Sequence, residues 1–342
     1  MQHCLSAGPL LDANGHLSEA GYATSLVKQY NRAAIRANAL RIKEWDYYLI
    51  YNDHFGVALT IDDNAYMGLV SASFLHFEER WEKTVSPMFW FPYGKTGFPA
   101  SSFSGDVAKV LKNAYFSFTL QNGQRHLVAH LDEFLDGKPF NCDLLLTDPP
   151  RDSMVIATPF SNKPAAFYYN QKIVGMRAAG TVTCAGKTYA FTPDSSFGLL
   201  DWGRGVWTYS NTWYWGAGHG IVDGHVIGFN FGYGFGDTSA ASENMLFVDG
   251  VAQKLEQVTF DIPQAGGRDD FLSPWHIGSD DGRVDLRFTP VIDRAAKTDV
   301  GVICSDQHQV FGWLDGTLKQ EDGSLISLQH YMAFAEKVRN KW

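Results

Sequence analysis

The chain has 342 residues, of which 45% are hydrophobic and 19% are charged, and its formal net charge is -9. This composition indicates a globular protein with room for one large domain or two ordinary ones. Because no block rich in Lys and Arg offsets the acidic balance, nucleic acids and anionic membrane surfaces are poor candidate partners.

Neither export nor membrane insertion is expected from the sequence. The first residues, MQHCLSAGPLLDANGHL, contain no basic stretch followed by an apolar core, and no apolar run is long enough to span a bilayer. The cysteines are far apart and form no Cys-x-x-Cys pair, which argues against a disulfide framework or a zinc site. We therefore expect a cytoplasmic protein that binds no metal.

Strand patterns dominate the chain from its first third onward. The runs WDYYLIYN (45–52), FGVALTI (55–61) and YMGLVSASFLHF (66–77) are rich in aromatic and β-branched residues and are separated by short polar turns. Asn122-Gly123 and Asp249-Gly250 each lie between two such runs and predict hairpin turns, because both residue pairs tolerate positive φ.

Helical signals are few. Residues 18–40 have a helix-friendly composition, although Gly21 and several β-branched or polar residues oppose a helix, and residues 330–342 are predicted to hold one short helix. Well over a dozen candidate strands at short spacing predict an all-β protein made of antiparallel β-barrels or sandwiches. Prolines in DPPRDS and PFSNKPAA indicate a boundary, so we expect domains over residues 1–160 and 161–342.

The second half contains a centre rich in glycine and aromatic residues. In VIGFNFGYGFG (226–236), aromatic residues alternate with glycines and one asparagine, so a strand would have one aromatic face and one almost bare face. A bare face permits either a sharp bend or the close approach of another group. Neither GAGHG nor GYGFG is followed by an amphipathic helix, so no phosphate-binding loop and no cofactor are implied.

The segment DWGRGVWTYSNTWYWGAGHG (201–220) places four tryptophans within fourteen positions, beside one acidic and one basic residue. In a regular strand Asp201 and Trp207 would face one side and Arg204 the other, whereas a bulge would bring Asp201 and Arg204 together. Both alternatives remain open from the sequence. An Asp–Arg pair can be a structural ion pair, or the carboxyl group can be a proton donor in an indole-lined pocket of low dielectric constant.

The segments GPLLDANGHLSEAGYA, KEWDYY, DWGRGVWTYSNTWYWGAGHG and IGFNFGYGFGDTSAASENMLFVDG, with the terminal HQVFGWLDGTL and FAEKVRNKW, resemble domain-of-unknown-function family 2804 over nearly the whole chain. The centre is also distantly similar to the lipocalin-like superfamily of carotenoid hydratases, tocopherol cyclases and Diels–Alderases. This second resemblance implies two calycin-type β-domains and a pocket for a hydrophobic small molecule.

Three functions are compatible with these observations. The first is a lyase or isomerase, such as an acid-assisted hydratase or cyclase, that acts on a hydrophobic or polycyclic small molecule. The second is a carbohydrate-active enzyme with paired carboxylates and tryptophan platforms. The third is a lipocalin-like carrier without catalysis.

The catalytic candidates are Asp201, Arg204, Asp237 and Glu243. The candidates for substrate binding are Trp202, Trp207, Tyr209, Trp213, Trp215, His219 and Asn244.

His219 and Glu243-Asn244 also have simpler interpretations. A histidine between glycines is commonly a solvated turn residue, and Glu243-Asn244 could be a polar pair at the entry of a strand or the rim of a pocket. The sequence identifies no oligomeric state.

Overall fold

The computed structural model describes residues 2–299, 301 and 304–341. The first part of the chain contains β1 (Gly8–Pro9), β2 (Gly21–Ala23), β3 (Lys28–Gln29), β4 (Ile42–Tyr51), β5 (Phe55–Asp63), β6 (Met67–His76), β7 (Trp81–Val85), β8 (Met88–Trp90), β9 (Val107–Leu111), β10 (Ala114–Gln121), β11 (Gln124–Leu135), β12 (Lys138–Thr147), β13 (Met154–Pro159), β14 (Phe167–Cys184), β15 (Lys187–Phe191) and β16 (Phe197–Val206).

The second part contains β17 (Ser210–Val222), β18 (His225–Tyr233), β19 (Met245–Val248), β20 (Val251–Lys254), β21 (Val258–Asp261), β22 (Gln264–Ala265), β23 (Arg268–Asp269), β24 (Trp275–Ser279), β25 (Val284–Asp299), β26 (Cys304–Lys319) and β27 (Leu325–Lys341). Two 3-10 turns, Arg32–Ala34 and Ala39–Arg41, are the helical elements of the described residues. The prediction of an all-β protein is confirmed.

Two large antiparallel sheets contain nearly all of these strands. The first has the order β7-β6-β5-β4-β16-β14-β12-β11-β10-β9, with β2, β8, β13 and β15 paired at its sides. The second has the order β20-β19-β18-β17-β27-β26-β25-β24-β21. The chain leaves the first sheet after β16 and enters the second at β17, so the expected domain boundary at residue 160 does not coincide with the change of sheet.

Each sheet curls around an apolar core of its own. In the first sheet Tyr48 of β4 meets Phe118 of β10 across the curl, with ring centroids 4.9 Å apart. In the second sheet Phe229 and Phe231 stack at 4.4 Å within the core. We call these core-facing sides the inner faces. The outer faces of β4, β14 and β16 pack against the outer faces of β17, β18 and β27, and this sheet–sheet interface is also buried.

Local turn chemistry is as the sequence predicts. Asn122-Gly123 joins β10 to β11 with φ of 52° and 78°, and Asp249-Gly250 joins β19 to β20 with φ of 49° and 75°. The alternating segment forms β18 as far as Tyr233, with Phe229, Phe231 and Tyr233 at the second core. Phe235 lies beyond the strand and packs with residues of the first sheet instead. The bare face of β18 lets the other sheet approach, because an added Cβ at Gly228 would lie 3.0 Å from Val174 of β14.

The short helix predicted for residues 330–342 is wrong. This segment belongs to β27, which pairs with both β17 and β26, and only Trp342 lies outside the described residues. Residues 18–40 form short strands and a 3-10 turn rather than an α-helix. In both segments the hydrogen bonds offered by neighbouring strands outweigh a modest helix propensity.

Candidate functional site

Asp201 lies on the outer face of β16, within the sheet–sheet interface. Its Oδ1 is 2.8 Å from Lys172 Nζ and accepts a hydrogen bond of 2.6 Å from Asn170 Nδ2. Lys172 is the partner of Asp201 in the pairing of β14 with β16, so the strand register itself brings the two charges together. Both side chains are at least nine-tenths buried. Asp201 is therefore one member of a buried ion pair.

Arg204 lies on the opposite, inner face of the same strand. Its Nη1 donates to Asp46 Oδ1 at 3.0 Å and to the carbonyl oxygens of Trp45 and Gly203. Its guanidinium carbon lies 4.1 Å from the centroid of the Trp202 ring. The regular strand thus separates Arg204 from Asp201, and the alternative in which a bulge pairs them is wrong. Trp202 is likewise a core residue of the first sheet.

Trp215 of β17 packs against the Lys172 side of the ion pair. The Lys172 ammonium lies 4.1 Å from the centroid of the Trp215 ring, which is a cation–π distance. The indole Nε1 donates to Asn230 Oδ1 at 2.8 Å, and Asn230 Nδ2 donates to the carbonyl oxygen of Glu243 at 2.8 Å. This relay fixes the Trp215 ring and links it to the backbone beside Glu243.

Glu243 reaches the same interface from the connection before β19. An added Cβ at Gly232 would lie 3.0 Å from Glu243 Oε2, so the carboxyl group occupies the space that the bare face of β18 leaves open. Gly232 is the strand partner of Trp215, which places this carboxyl group beside the Lys172–Asp201 pair. Within the described part of the chain no residue donates a hydrogen bond to it. The pKa of Glu243 is raised to about 7, chiefly by burial; Lys172 opposes the rise and Asp201 adds to it.

Glu336 of β27 is a fourth ionisable group, and sequence reasoning missed it. Its Oε1 accepts from Trp213 Nε1 at 3.1 Å, and its Oε2 accepts from Gln307 and Gln309 at 3.1 Å each. Burial raises the pKa of Glu336, and the positive charges of Arg294 and, more weakly, Lys172 oppose the rise. If residues 330–342 had been interpreted as a strand, period-two alternation would have placed Glu336 on the same face as Met332 and Phe334. We call Lys172, Asp201, Glu243 and Glu336 the interface charge cluster.

Aromatic rings connect this cluster to the surface. Phe235 packs edge-on against Tyr168, Trp207 and Trp213, with centroid distances of 4.9, 4.8 and 5.4 Å. Trp207 and Trp213 are half-buried, whereas Tyr168 is buried near three carboxyl groups of the cluster. Tyr209 lies beyond them and is 51% exposed. The rings thus extend from solvent to the charges.

Asp237 and Asn244 form hydrogen bonds that hold the local backbone in place. Asp237 is half-buried, accepts a hydrogen bond from Ser161 Oγ at 2.8 Å, and caps its own turn through the backbone of Ser239. Asn244 is fully buried and bridges Gly232 N and the carbonyl oxygen of Glu256 at 2.8 Å each. The interpretation of Asn244 as a residue at a strand entry fits this geometry, since β19 starts at the next position.

His219 is not a solvated turn residue. It lies in β17 and is 3% exposed, with its imidazole stacked on the Tyr51 ring at 4.2 Å. Neither ring nitrogen makes a hydrogen bond of ordinary geometry with the described residues, and the Phe197 backbone is the polar group that lies against the ring. Burial lowers the pKa of His219 to about 3, so the ring is neutral near pH 7. The side chain contributes to a cavity that lies between the sheets.

Neither a cluster of metal-ligating side chains nor a membrane-spanning helix is found among the described residues. Residues 2–299, 301 and 304–341 contain no group of three or more His, Cys, Asp or Glu side chains placed to hold a metal ion. Nor does this part of the chain contain a helix that is both long and apolar enough to cross a membrane.

Comparison with known proteins identifies the family and the fold. The family model described as "Domain of unknown function (DUF2804)" matches residues 2–342, so the chain belongs to this family. No curated protein sequence matches the chain. A solved structure described as a proposed AttH of Nitrosomonas europaea has a TM-score of 0.58 at 10% identity and covers 97% of this chain and 98% of its own. That similarity establishes a shared fold.

Two further solved structures are similar at lower scores. Kievitone hydratase from Nectria haematococca has a TM-score of 0.46 at 12% identity and covers 93% of this chain and 97% of its own. CghA has a TM-score of 0.42 at 10% identity and covers 98% of this chain and 97% of its own.

Proposed function

We propose that this member of the DUF2804 family is a lyase or isomerase that protonates an alkene carbon of an apolar small molecule, after which the resulting cation takes up water or loses a proton from a neighbouring carbon. Glu243 is the proton donor. The observation that carries the proposal is the position of its carboxyl group, buried on the bare face of Gly232 beside the Lys172–Asp201 pair. A carboxyl group in that environment keeps its proton near neutral pH, because burial disfavours the charged form.

Asp201 and Lys172 tune this acid rather than replace it. Asp201 already accepts from Lys172 and Asn170, so its charge is compensated and its Oδ1 is occupied. After Glu243 gives up its proton, the nearby Lys172 ammonium stabilises the new carboxylate. Lys172 therefore sets both the acidity of the donor and the stability of the conjugate base, and Asp201 fixes the position of Lys172.

The aromatic side chains supply the route and the apolar surroundings. A hydrophobic substrate would enter past the half-buried rings of Trp207 and Trp213 and would displace Phe235 to approach Glu243. Edge-on contacts are worth about 0.5–1.5 kcal/mol each, so binding of an apolar molecule can compensate for opening them. Carbocation character in the substrate would be stabilised by the Trp207 and Trp213 indole faces that the displacement of Phe235 uncovers.

The charge cluster separates this proposal from the two alternatives. A carrier needs an apolar pocket without inward acids, whereas the four ionisable groups of the cluster lie in this interface. Sugar platforms need a ring face that a pyranose can reach, but Lys172 covers the Trp215 face and Phe235 packs edge-on against Trp213. The acid-assisted reaction uses both the charges and the apolar rings.

Deuterium incorporation tests the proposal even while the substrate is unidentified. The purified protein is incubated in D₂O with an apolar extract of the source cells, and the extract is compared by mass spectrometry with a sample that contains no protein. Protonation at carbon predicts a product that carries one solvent deuterium, with or without the mass of one added water. The Glu243→Gln variant must lose this product by at least about a hundredfold, the usual minimum for a general acid.

Glu133→Gln provides the matched control, because Glu133 is exposed on β11 and outside the site. It must retain the wild-type rate. Undiminished deuterium incorporation by Glu243→Gln would remove Glu243 from the donor role. If wild-type protein leaves every compound in the extract unlabelled, the lyase or isomerase assignment itself is wrong.

A further inference from the structure

Ser242 and Lys254 form a second pair of reactive side chains, outside the interface charge cluster. Ser242 lies in the connection between β18 and β19, and Lys254 is the last residue of β20. Lys254 Nζ is 2.8 Å from Ser242 Oγ. The same nitrogen lies 2.7 Å from the Asn244 carbonyl oxygen and 3.1 Å from that of Leu255. A hydroxyl group within hydrogen-bond reach of an amine is the arrangement by which a general base activates a nucleophilic serine.

The Lys254 side chain is half-buried and forms no ion pair with the described Asp and Glu residues. Burial lowers the pKa of Lys254 to about 7, although the carboxylates of Glu256, Glu243 and Asp281 oppose the fall. A neutral amine is therefore populated near neutral pH. Its two N–H groups donate to the two carbonyl oxygens, which leaves its lone pair to accept from the Ser242 hydroxyl group. Such a lysine can act as a general base.

The side-chain amide of Gln2 lies against this serine in the position of an acyl group. Its Oε1 accepts from Ser242 N at 2.8 Å and from Ser242 Oγ at 3.1 Å. Its Nε2 donates to the Leu255 carbonyl oxygen at 2.8 Å and to the exposed Glu256 carboxylate at 3.2 Å. The backbone N–H of a nucleophilic serine is a recurrent donor to the oxyanion in acyl transfer. Ser242 therefore already holds a carbonyl oxygen at its N–H and beside its hydroxyl oxygen.

We propose that Ser242 and Lys254 form a Ser–Lys dyad that hydrolyses esters of short, neutral acyl groups, and that the half-buried Gln2 side chain covers it until it swings outward. Ser242 Oγ attacks the ester carbonyl carbon while Lys254 Nζ takes the hydroxyl proton, and Ser242 N donates to the oxyanion. Lys254 returns the proton to the departing alkoxide, which leaves an acyl-serine. Water attacks the acyl-serine with Lys254 again as the base, and the carboxylic acid and free Ser242 are released.

The surroundings of the dyad restrict the acyl group. Gln2 contributes an unbranched, uncharged chain that ends in a carbonyl group, so the space that it vacates suits a short linear acyl chain. The Tyr22 ring borders this space, with its centroid 5.3 Å from Lys254 Nζ. Glu256 and Asp281 are exposed near Lys254 and repel anionic acyl groups. A butanoyl ester meets these conditions, whereas a monoester of a dicarboxylic acid does not.

An alkyl fluorophosphonate tests the dyad directly, because this probe phosphonylates an activated serine with loss of fluoride. Peptide mapping by mass spectrometry then identifies the labelled residue. We expect labelling at Ser242, at a rate that rises with pH around a midpoint near pH 7, because Lys254 becomes neutral there. Gln2→Ala should be labelled about tenfold faster, because the side-chain hydrogen bonds that hold the cover in place are lost.

Variants of the dyad distinguish catalysis from a structural hydrogen bond. Ser242→Ala should lose the label, and Lys254→Met should slow labelling by at least about a hundredfold, the usual minimum for a general base. Lys254→Arg keeps the positive charge but should be labelled as slowly as Lys254→Met, because a guanidinium group stays protonated. Ser239→Ala is the matched control, since Ser239 is exposed in the same connection, and it must be labelled at the wild-type rate.

Ester hydrolysis tests the substrate class. Gln2→Ala should hydrolyse 4-nitrophenyl butanoate, and it should hydrolyse the anionic 4-nitrophenyl monoester of succinic acid at least about tenfold more slowly. Equal rates for the two esters would refute the acyl preference. Two results would overturn the dyad itself: absence of label at Ser242 in both the wild type and Gln2→Ala, and undiminished labelling of Lys254→Met. The first result does not depend on any change to the dyad residues, so misfolding of a variant cannot explain it.

The dyad and the proposed proton donor are neighbours in the chain but are tested separately. The Glu243 carboxyl group lies on Gly232 in the sheet–sheet interface, whereas Ser242 Oγ faces Lys254 and Gln2. Fluorophosphonate labelling needs no apolar substrate, so Glu243→Gln must still be labelled at Ser242. Deuterium incorporation needs no acyl transfer, so it must persist in Gln2→Ala. Either site can therefore fail its own test without affecting the result for the other.

Discussion

Replacement of Lys172 by methionine perturbs the interface charge cluster at its centre. Methionine retains most of the buried aliphatic length, so the main loss is the positive charge. Lys172 Nζ lies 2.8 Å from Asp201 Oδ1 and 4.1 Å from the centroid of the Trp215 ring. In the variant Asp201 would remain buried with Asn170 as its hydrogen-bond donor, and Glu243 would lose the stronger of the two cations, Lys172 and Lys254, that lower its pKa.

The expected loss of stability follows from these contacts. Removal of one partner of a buried ion pair costs about 3–5 kcal/mol, because the other charge stays in a low-dielectric environment. The lost cation–π contact contributes to this cost. Lys172→Met combined with Asp201→Asn removes both charges, so the double variant should be more stable than the sum of the single losses predicts. We expect a coupling energy of about 2 kcal/mol or more.

Urea unfolding followed by tryptophan fluorescence gives the free energy of unfolding for each variant. Lys187→Met is the matched control, since Lys187 is exposed at the start of β15 and its loss should change stability by about 0.5 kcal/mol or less. Two results would refute the reasoning. One is a cost below about 1 kcal/mol for Lys172→Met, and the other is additivity of the two single variants within about 0.5 kcal/mol.

Three further predictions concern the close packing at Gly203 and the pH dependence of stability. Gly203→Ala should destabilise the protein by about 1–3 kcal/mol in the same assay, because its Cβ would lie 1.9 Å from the Trp45 ring; a neutral effect would mean that this ring moves aside freely. Glu243 has a raised pKa in the folded state, so its stabilisation is complete below pH 4.5 and is lost as pH rises to about 7. Glu243→Gln should therefore remove a decline of about 3 kcal/mol over that range, and an unchanged stability–pH profile would contradict the prediction. His219 has a lowered pKa, so stability falls as pH drops from 6.5 towards 3, and His219→Phe should flatten that part of the profile.

Local patterns in the sequence predict much of this fold. The alternation in residues 201–207 correctly places Asp201 and Arg204 on opposite sides of one strand, provided that the strand is regular. The same rule places Trp213 and Trp215 on one face of β17 and Tyr214 on the other, where it stacks on Tyr233 at 4.4 Å. These predictions succeed because side-chain direction in a strand depends only on period two.

The partners of these side chains could not be predicted from local patterns. Glu336 is 123 residues from Trp213 in the chain, and only the pairing of β17 with β27 brings them together. Lys172 follows Asn170 and Gln171 in a strand-like segment that contains no acidic residue, and its role depends on the register with Asp201. Glu336 was not recognised as a site residue because residues 330–342 were predicted to be helical. Ala, Glu and Lys favour helices, but here the backbone forms hydrogen bonds with two neighbouring strands instead.

The protonation state of Glu243 in the native protein is the most direct test of the proposed acid. Infrared difference spectra recorded across a pH titration detect the carbonyl band of a protonated carboxyl group, and subtraction of the Glu243→Gln spectra assigns that band to one residue. The account predicts a Glu243-dependent band that disappears with a midpoint near pH 7. A midpoint near the ordinary value of 4.5 would contradict it, because Glu243 would then be ionised and could not donate a proton at neutral pH.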